Sequence, residues 1–559
     1  MVGLWAPPYL SAPLRSSHCR ERAGSTLPAV GYEPATGVSD GDGDGDGDRA
    51  RQRDDREDPS ARRARTERAI PSDRKQAVMI GIVGGGIAGL AAAHRLQRRG
   101  YEVRVFEAAQ AVGGLAATYE TAGDRIEKFY HHLSASEGTI VSLIEELGLG
   151  EELAWPIGKN AYYMDGTVYP LDTPWEIATY PYLSFYDKFR LAMLTQEIDV
   201  RGGVPDFDTY DDLEAFEDVP IREFLYEHTT SGVYENFFEP LLRAKFGSRV
   251  EDVSAAWLLG RIKFRGERDL LRGEPLGYLR GGFGRLLDRL VEAVGEEVIE
   301  TSTRVTDLDL SGGRVSSLTV EPTEPTGSEP DGETTAHEDS EAAARNEGTA
   351  TRDDETTHDV EACVVAAMPN VLEALCGYEC DIDFQGTVCS VLSVEASLTD
   401  TYWLNIGDDA PFGALIEHTN FVPPKYYGGE HLLYVPRYVQ SPSEAVWGMT
   451  DVEVEELWLT GIEDLFPDFD QSSVNWIETA RNPRTAPVYE RGYLDMVIPY
   501  DLGSEVAEGL YYAGMASRAQ YPERSLNGGV EAGYACADRI ATSVPTRRTA
   551  RTPRAGGDD

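Results

Sequence analysis

Val78-Met79-Ile80-Gly81-Ile82-Val83-Gly84-Gly85-Gly86-Ile87-Ala88-Gly89 reads as a buried strand that turns through glycine into a helix. The first six residues suit a parallel strand, and Ala88 to Arg99 continues with helix formers and apolar positions at Leu90, Ala93 and Leu96. At the junction Gly84 permits the tight turn, Gly86 lets backbone approach a pyrophosphate, and Gly89 allows close helix–strand packing. Ile87 and Ala88 then lie at the positive helix N-terminus, where phosphates bind. A second strand, Glu102-Val103-Arg104-Val105-Phe106-Glu107, ends in an acid at the spacing of a ribose ligand. Glu107 can accept both ribose hydroxyls and its charge repels a 2′-phosphate, which favours FAD or NAD over NADP.

Ala111-Val112-Gly113-Gly114 places a second close-approach pair just past the acid, where a flavin's pyrophosphate and ribityl chain would run. More than four hundred residues after the first turn stands another, Asn527-Gly528-Gly529-Val530-Glu531-Ala532-Gly533, preceded by the strand-like Gly509-Leu510-Tyr511-Tyr512-Ala513-Gly514. A flavin dinucleotide has a pyrophosphate at one end and a ring system at the other, so one ligand can use both turns. The chain reads as a flavoprotein that binds FAD.

These motifs resemble the flavin amine oxidase superfamily, which includes protoporphyrinogen oxidases, phytoene desaturases and UDP-galactopyranose mutases. The resemblance spans residues 78 to 320 and 358 to 541. It implies an α/β fold: a Rossmann-type FAD-binding domain (GR2-like) interleaved with a mixed-sheet and helical substrate domain. Residues 78–154, 277–320, 358–384 and 501–542 are expected in the first, and 155–276 and 385–500 in the second. By the same resemblance Gly514, Gly528, Gly529 and Val530 close over the flavin, and the strand Val298 to Val305 lays backbone beside the adenine with Val305 as the contact. Ala362 to Pro369 returns to the dinucleotide domain, and Arg285 to Val294 reads as an amphipathic helix.

In the substrate half, Tyr162 to Tyr169 reads as a hairpin turning at Asp165-Gly166. Aromatic-rich helical patterns run from about Trp175 to Glu197 and from Ile221 to Lys263, and strands are expected at Val388 to Val394, Tyr402 to Leu404 and His431 to Tyr438. Apolar helices capping a flavin suit a greasy or polycyclic substrate.

For catalysis, Phe129-Tyr130-His131-His132 occupies the place where the resemblance passes a turn close to the flavin ring. Imidazole titrates near neutrality, so His131 and His132 are candidate proton donors or acceptors, with ordinary packing as the alternative. They offer no metal-ligand pattern. Arg243, Lys245 and Arg524 are the charged candidates, set against the common fate of arginine in an acidic chain, a surface ion pair. Arg524, just before the final glycine turn, is placed to neutralise the pyrophosphate or a reduced flavin near N1.

The sequence also departs from the resemblance: Met515 stands where many relatives carry an acid, Leu115 where many carry arginine, and residues 370 to 390 contain no lysine. FAD binding is expected, and simple amine oxidation is disfavoured. The expected function is an FAD-dependent oxidase, dehydrogenase or desaturase acting on a C–N or C–C unit of a small-molecule substrate. A non-redox mutase similar to UDP-galactopyranose mutase and a non-catalytic prenyl-binding protein are the alternatives. The electron acceptor (oxygen, quinone or another) and the oligomeric state stay open.

Composition sets the surroundings. The 559 residues carry a formal net charge of −45 with seven lysines among 51 basic residues, which points to a halophilic source and argues against nucleic acid as a partner. No stretch approaches the ~20 apolar residues of a membrane span. Cytoplasm is the expected location, and peripheral membrane contact stays open. Residues 1–77 hold an Asp-Gly repeat and Arg-dense sequence and are expected to be a disordered extension, with Met79 as a candidate true start. The acidic stretch 321–357 is expected to be a solvated insertion and 543–559 a disordered tail. The six cysteines are scattered, which fits reduced thiols and noncovalent FAD.

Overall fold

A computed structural model describes residues 78–199, 211–264, 269, 271–323 and 355–545. The expectations for the N-terminal extension, most of the acidic insertion and most of the tail lie outside the described residues. Two sheets organise the rest. The first is parallel and five-stranded, built in the spatial order Ile299–Glu300, Glu102–Phe106, Met79–Val83, Ala362–Val365, Leu510–Tyr512. Its central strands are apolar because helices cover both faces. The second is mixed and seven-stranded, and draws its strands from Asn160–Pro170 and from 384–487. The chain therefore crosses between the two sheets several times, the interleaving that defines this α/β fold.

The first helix, Ile87–Arg98, follows Met79–Val83 directly, and the terminal helix, Leu526–Ser543, packs along it. Small residues set that distance. A Cβ on Gly533 would stand 2.3 Å from the Ala88 carbonyl oxygen, and one on Gly529 2.6 Å from Ile87 Cγ2. The amphipathic helix Gly284–Val294 covers the other side of the first helix with its Leu286, Leu287, Leu290 and Val294 face.

Three local expectations change. The strand expected through Val298 to Val305 is two pieces, Ile299–Glu300 in the parallel sheet and Thr303–Asp309 in a separate three-stranded antiparallel sheet, because Ser302 breaks the line with φ +50°. The pattern from Ile221 to Lys263 is interrupted: helices Ile221–His228, Glu239–Phe246 and Ala255–Phe264 are joined by a π-turn at Tyr234–Phe238 and a 3-10 segment at Gly247–Asp252. The helical reading from Trp175 likewise splits, into Pro174–Thr179 and Phe185–Asp199. The Asp165-Gly166 hairpin forms as read, with both residues at positive φ. Among the described residues no helix is long and apolar enough to cross a membrane.

Candidate functional site

The dinucleotide end is built at the C-terminal edge of the parallel sheet. Gly84, at φ +104°, turns the chain so that Gly86 becomes the N-cap of the first helix with no side-chain cap and no acid in the first turn. The leading N–H groups are thus left for an anion. A Cβ placed on Gly86 meets nothing within 4 Å, whereas one on Gly84 would lie 2.7 Å from the Ala366 carbonyl and one on Gly89 2.0 Å from the Gly84 carbonyl. Gly84 and Gly89 are therefore required by the protein's own packing, and Gly86 borders open space. That open cradle fits a phosphate group brought close to backbone.

Glu107 ends the second strand and is held from two sides: Gly85 N donates to Oε2 at 2.6 Å and Ala109 N to Oε1 at 2.9 Å. The second glycine pair lies beside the first turn, with Gly113 N donating to Gly85 O at 3.1 Å and Gly113 and Gly114 both at positive φ. Gly514 sits against the same edge, since its Cβ would stand 2.0 Å from the Ala367 carbonyl. Val305 is buried by its side chain in the core with Val83 and Phe106, and stands opposite Val320 in the antiparallel ladder. Val530 is likewise buried, among Leu90 and Leu526, and Gly528 and Gly529 are crowded by Ala519 and Ile87. The two glycine turns touch each other through Ile87 and Gly529, whereas Gly528 packs on the Ala519 carbonyl.

A half-buried polar cluster is assembled from four distant segments. Tyr130, His131 and His132 fall between the short strands Ile126–Glu127 and Leu133–Ser134; Tyr438 lies on His431–Val439, Lys245 in the last turn of Glu239–Phe246, and Arg524 just before the terminal helix. Tyr130 and Tyr438 share a hydroxyl hydrogen bond of 2.9 Å, and Arg524 Nη2 donates to Tyr438 Oη at 3.3 Å. Burial alone would raise the Tyr438 phenol, but Arg524, Lys245 and these hydrogen bonds bring it down to about 8. The main-chain N of Arg524 donates to Tyr489 Oη at 2.8 Å. Lys245 Nζ pairs with Glu523 Oε1 at 2.8 Å, in side chains only 13 % and 18 % exposed, and Arg261 holds the other oxygen.

The two histidines behave differently. His131 Nδ1 lies 2.5 Å from the Phe129 carbonyl oxygen, which can only accept, so Nδ1 carries the proton and Nε2 is the acceptor of the neutral ring. Burial and the nearby Arg524 charge lower its pKa to about 4. His132 Nδ1 lies 3.0 Å from Tyr402 Oη, edge-on to the Tyr402 and Trp403 rings.

Arg243 leaves the candidate site. Its side chain is 66 % exposed and pairs with Glu239 one helical turn away, the surface ion pair that an i,i+4 spacing produces. Arg524 joins the cluster, its guanidinium donating to Tyr438 Oη. Tyr438, Glu523, Trp257 and Tyr489 were not singled out from sequence. For Tyr438 a signal existed: Tyr434 and Tyr438 share one face of an alternating strand, and both reach the 127–130 segment, Tyr434 by donating to the Glu127 carbonyl. Beneath them Glu127 is wholly buried and accepts from Phe283 N at 2.5 Å and Tyr278 Oη at 2.8 Å. Burial pushes its carboxyl up.

The chain belongs to the flavin-containing amine oxidoreductase family, whose profile matches residues 87–541. It is similar to coproporphyrinogen III oxidase of Propionibacterium freudenreichii subsp. freudenreichii, 26% identical over 298 residues that cover 42% of this chain and 54% of that protein. The match thus spans about half the length of that relative. Two solved structures share the fold: cyclohexylamine oxidase from Brevibacterium oxydans IH-35A (TM-score 0.57, 17% identity, 84% of this chain and 99% of that one) and reduced UDP-galactopyranose mutase (TM-score 0.59, 14% identity, 83% and 95%). FAD is the cofactor that this family and the open cradle at Gly86 define.

Proposed function

We propose that this protein is an FAD-dependent oxidoreductase that removes a hydride from a C–N or C–C unit of an apolar or polycyclic substrate. The observation that carries the reading is the Tyr130–Tyr438–Arg524 cluster, a polar centre set in an aromatic shell beyond the paired glycine turns. When bound, FAD supplies the two-electron acceptor. The first-helix N-terminus and Gly86 would hold its pyrophosphate and Glu107 its ribose hydroxyls.

The remaining chemistry is a proton. Loss of hydride from carbon leaves one proton to be taken from the neighbouring N–H or C–H, and His131 Nε2 is a neutral acceptor at physiological pH because Nδ1 is committed to Phe129 O. The neighbouring Tyr130 packs edge to face with Trp403 and Tyr434. The test is anaerobic mixing of the salt-stabilised holoprotein with porphyrinogen, isoprenoid, amine and nucleotide-sugar classes. The reading expects one class to bleach the oxidised-flavin band with a matching yield of oxidised product. No bleaching by any class, or turnover to an isomer without net oxidation, contradicts it.

A further inference from the structure

Among the described residues Arg524 is a cation without a carboxylate partner. Its Nη2 bonds a phenol, its main-chain N bonds another, and its Nε is closed off from solvent with no hydrogen-bond partner. The adjacent acid does not compensate it, because Glu523 is taken by Lys245 and Arg261. Two more buried donors in the same packed group are also without partners, Trp257 Nε1 and Gln385 Nε2. Trp257 stacks on Tyr489, which receives the Arg524 N–H, and Gln385 accepts from Gln440, whose amide also reaches the Lys245 carbonyl. A half-buried guanidinium with a closed-off Nε and no acidic partner is costly unless something acidic or acceptor-rich completes it. In a chain of net charge −45, leaving this cation without a carboxylate is not for want of acidic residues.

We propose that Arg524, supported by Tyr438, is the receptor for a carboxylate carried by the substrate. The inference rests on the oxidoreductase reading and narrows its substrate class to acids, at the expense of simple amines, whose ammonium group Arg524 would repel. The side-chain hydrogen bond of Arg524 goes to Tyr438, on a strand of the mixed sheet. A planar guanidinium suits the two oxygens of a carboxylate in a bidentate bond, a geometry an ammonium cannot copy.

The probe is benzoate, titrated into FAD-loaded full-length protein at fixed high ionic strength, with neutral benzamide as its isostere. Binding is read from the shift of the bound-flavin absorption band and, independently, from tryptophan fluorescence. The proposal expects benzoate to bind and benzamide to bind far more weakly. Arg524→Met should weaken benzoate by about 100-fold or more, Arg524→Lys should recover part of it, and Tyr438→Phe should weaken it several-fold with FAD retained.

Equal benzoate affinity in wild type and Arg524→Met overturns the receptor. So does an Arg524→Met protein whose flavin reduction potential shifts while benzoate affinity does not, which would assign the guanidinium to the flavin ring. Protein that takes up FAD but ignores benzoate overturns the receptor alone. Protein that quenches with benzoate yet never binds FAD sustains the receptor and overturns the oxidoreductase reading.

Discussion

Gly86 and Gly89 are three residues apart and answer to different constraints. An added methyl on Gly86 meets no protein atom, so Gly86→Ala should fold with an unchanged melting temperature and lose FAD affinity by about 10-fold or more. A methyl on Gly89 collides with the Gly84 carbonyl, so Gly89→Ala should cost about 3 kcal/mol of stability or more before any ligand is added. Thermal melts of apoprotein beside flavin titrations separate the two, and equal effects on both readouts would refute the distinction. Glu107→Gln keeps the shape but removes a charge that accepts two N–H groups, and FAD affinity should fall by about 10- to 100-fold.

Protonation belongs to the same scale. Burial lowers His418 to about 3, and burial with the Arg524 charge lowers His131 to about 4, both from 6.5. Above pH 6.5 both rings are neutral folded or unfolded, and their stability contribution is fully present. As pH falls below 6.5 the unfolded chain binds protons that the folded chain refuses, so stability falls by up to about 1.4 kcal/mol per pH unit for each ring. The buried carboxyls Glu127, Glu217 and Glu417 are raised by burial and act in the opposite sense. The informative quantity is therefore a difference. His418→Gln should flatten the stability profile between pH 4 and 6.5 relative to wild type, measured by denaturant midpoints, and an unaltered slope would show that His418 titrates normally.

At the scale of elements, what could be read from sequence is what chain neighbours determine. The strand, glycine turn, helix and acid from Met79 to Glu107 all fall where the apolar spacing puts them, because each depends on residues a few positions away. The cluster of Tyr130, Lys245, Tyr438 and Arg524 depends instead on four segments meeting, and no local period marks it. Arg243 misled for the converse reason: its charge was visible, and so was Glu239 four residues before it, which is the pair it makes. The break at Ser302 was hidden because a positive φ at a non-glycine residue leaves no compositional trace. Two element-level tests follow. Gly533→Ala should push the terminal helix off the first helix, lowering stability and FAD content together, since its methyl would lie 2.3 Å from the Ala88 carbonyl. Strands Ser317–Pro322 and Thr356–Asp359 pair with Val320 opposite Thr356, so the acidic stretch leaves and re-enters at neighbouring positions. Replacing residues 324–354 by a short turn should leave FAD content intact and alter stability by about 1 kcal/mol at most.

For the whole molecule, charge sets the conditions under which any of this is measurable. A net charge of −45 repels itself, and screening falls away as the Debye length lengthens from about 3 Å at 1 M salt to about 10 Å at 0.1 M. The melting temperature should rise steeply with salt concentration, and a flat dependence would remove the halophilic reading. Two turns four hundred residues apart are expected to serve one flavin, and reconstitution checks this. Wild type and Gly86→Ala, both shown to be folded in molar salt, are titrated with FAD and their bound flavin is quantified. One equivalent of tightly held FAD is expected on the wild type and a clear deficit on the variant; folded wild-type protein that stays colourless and takes up no FAD would refute the shared site.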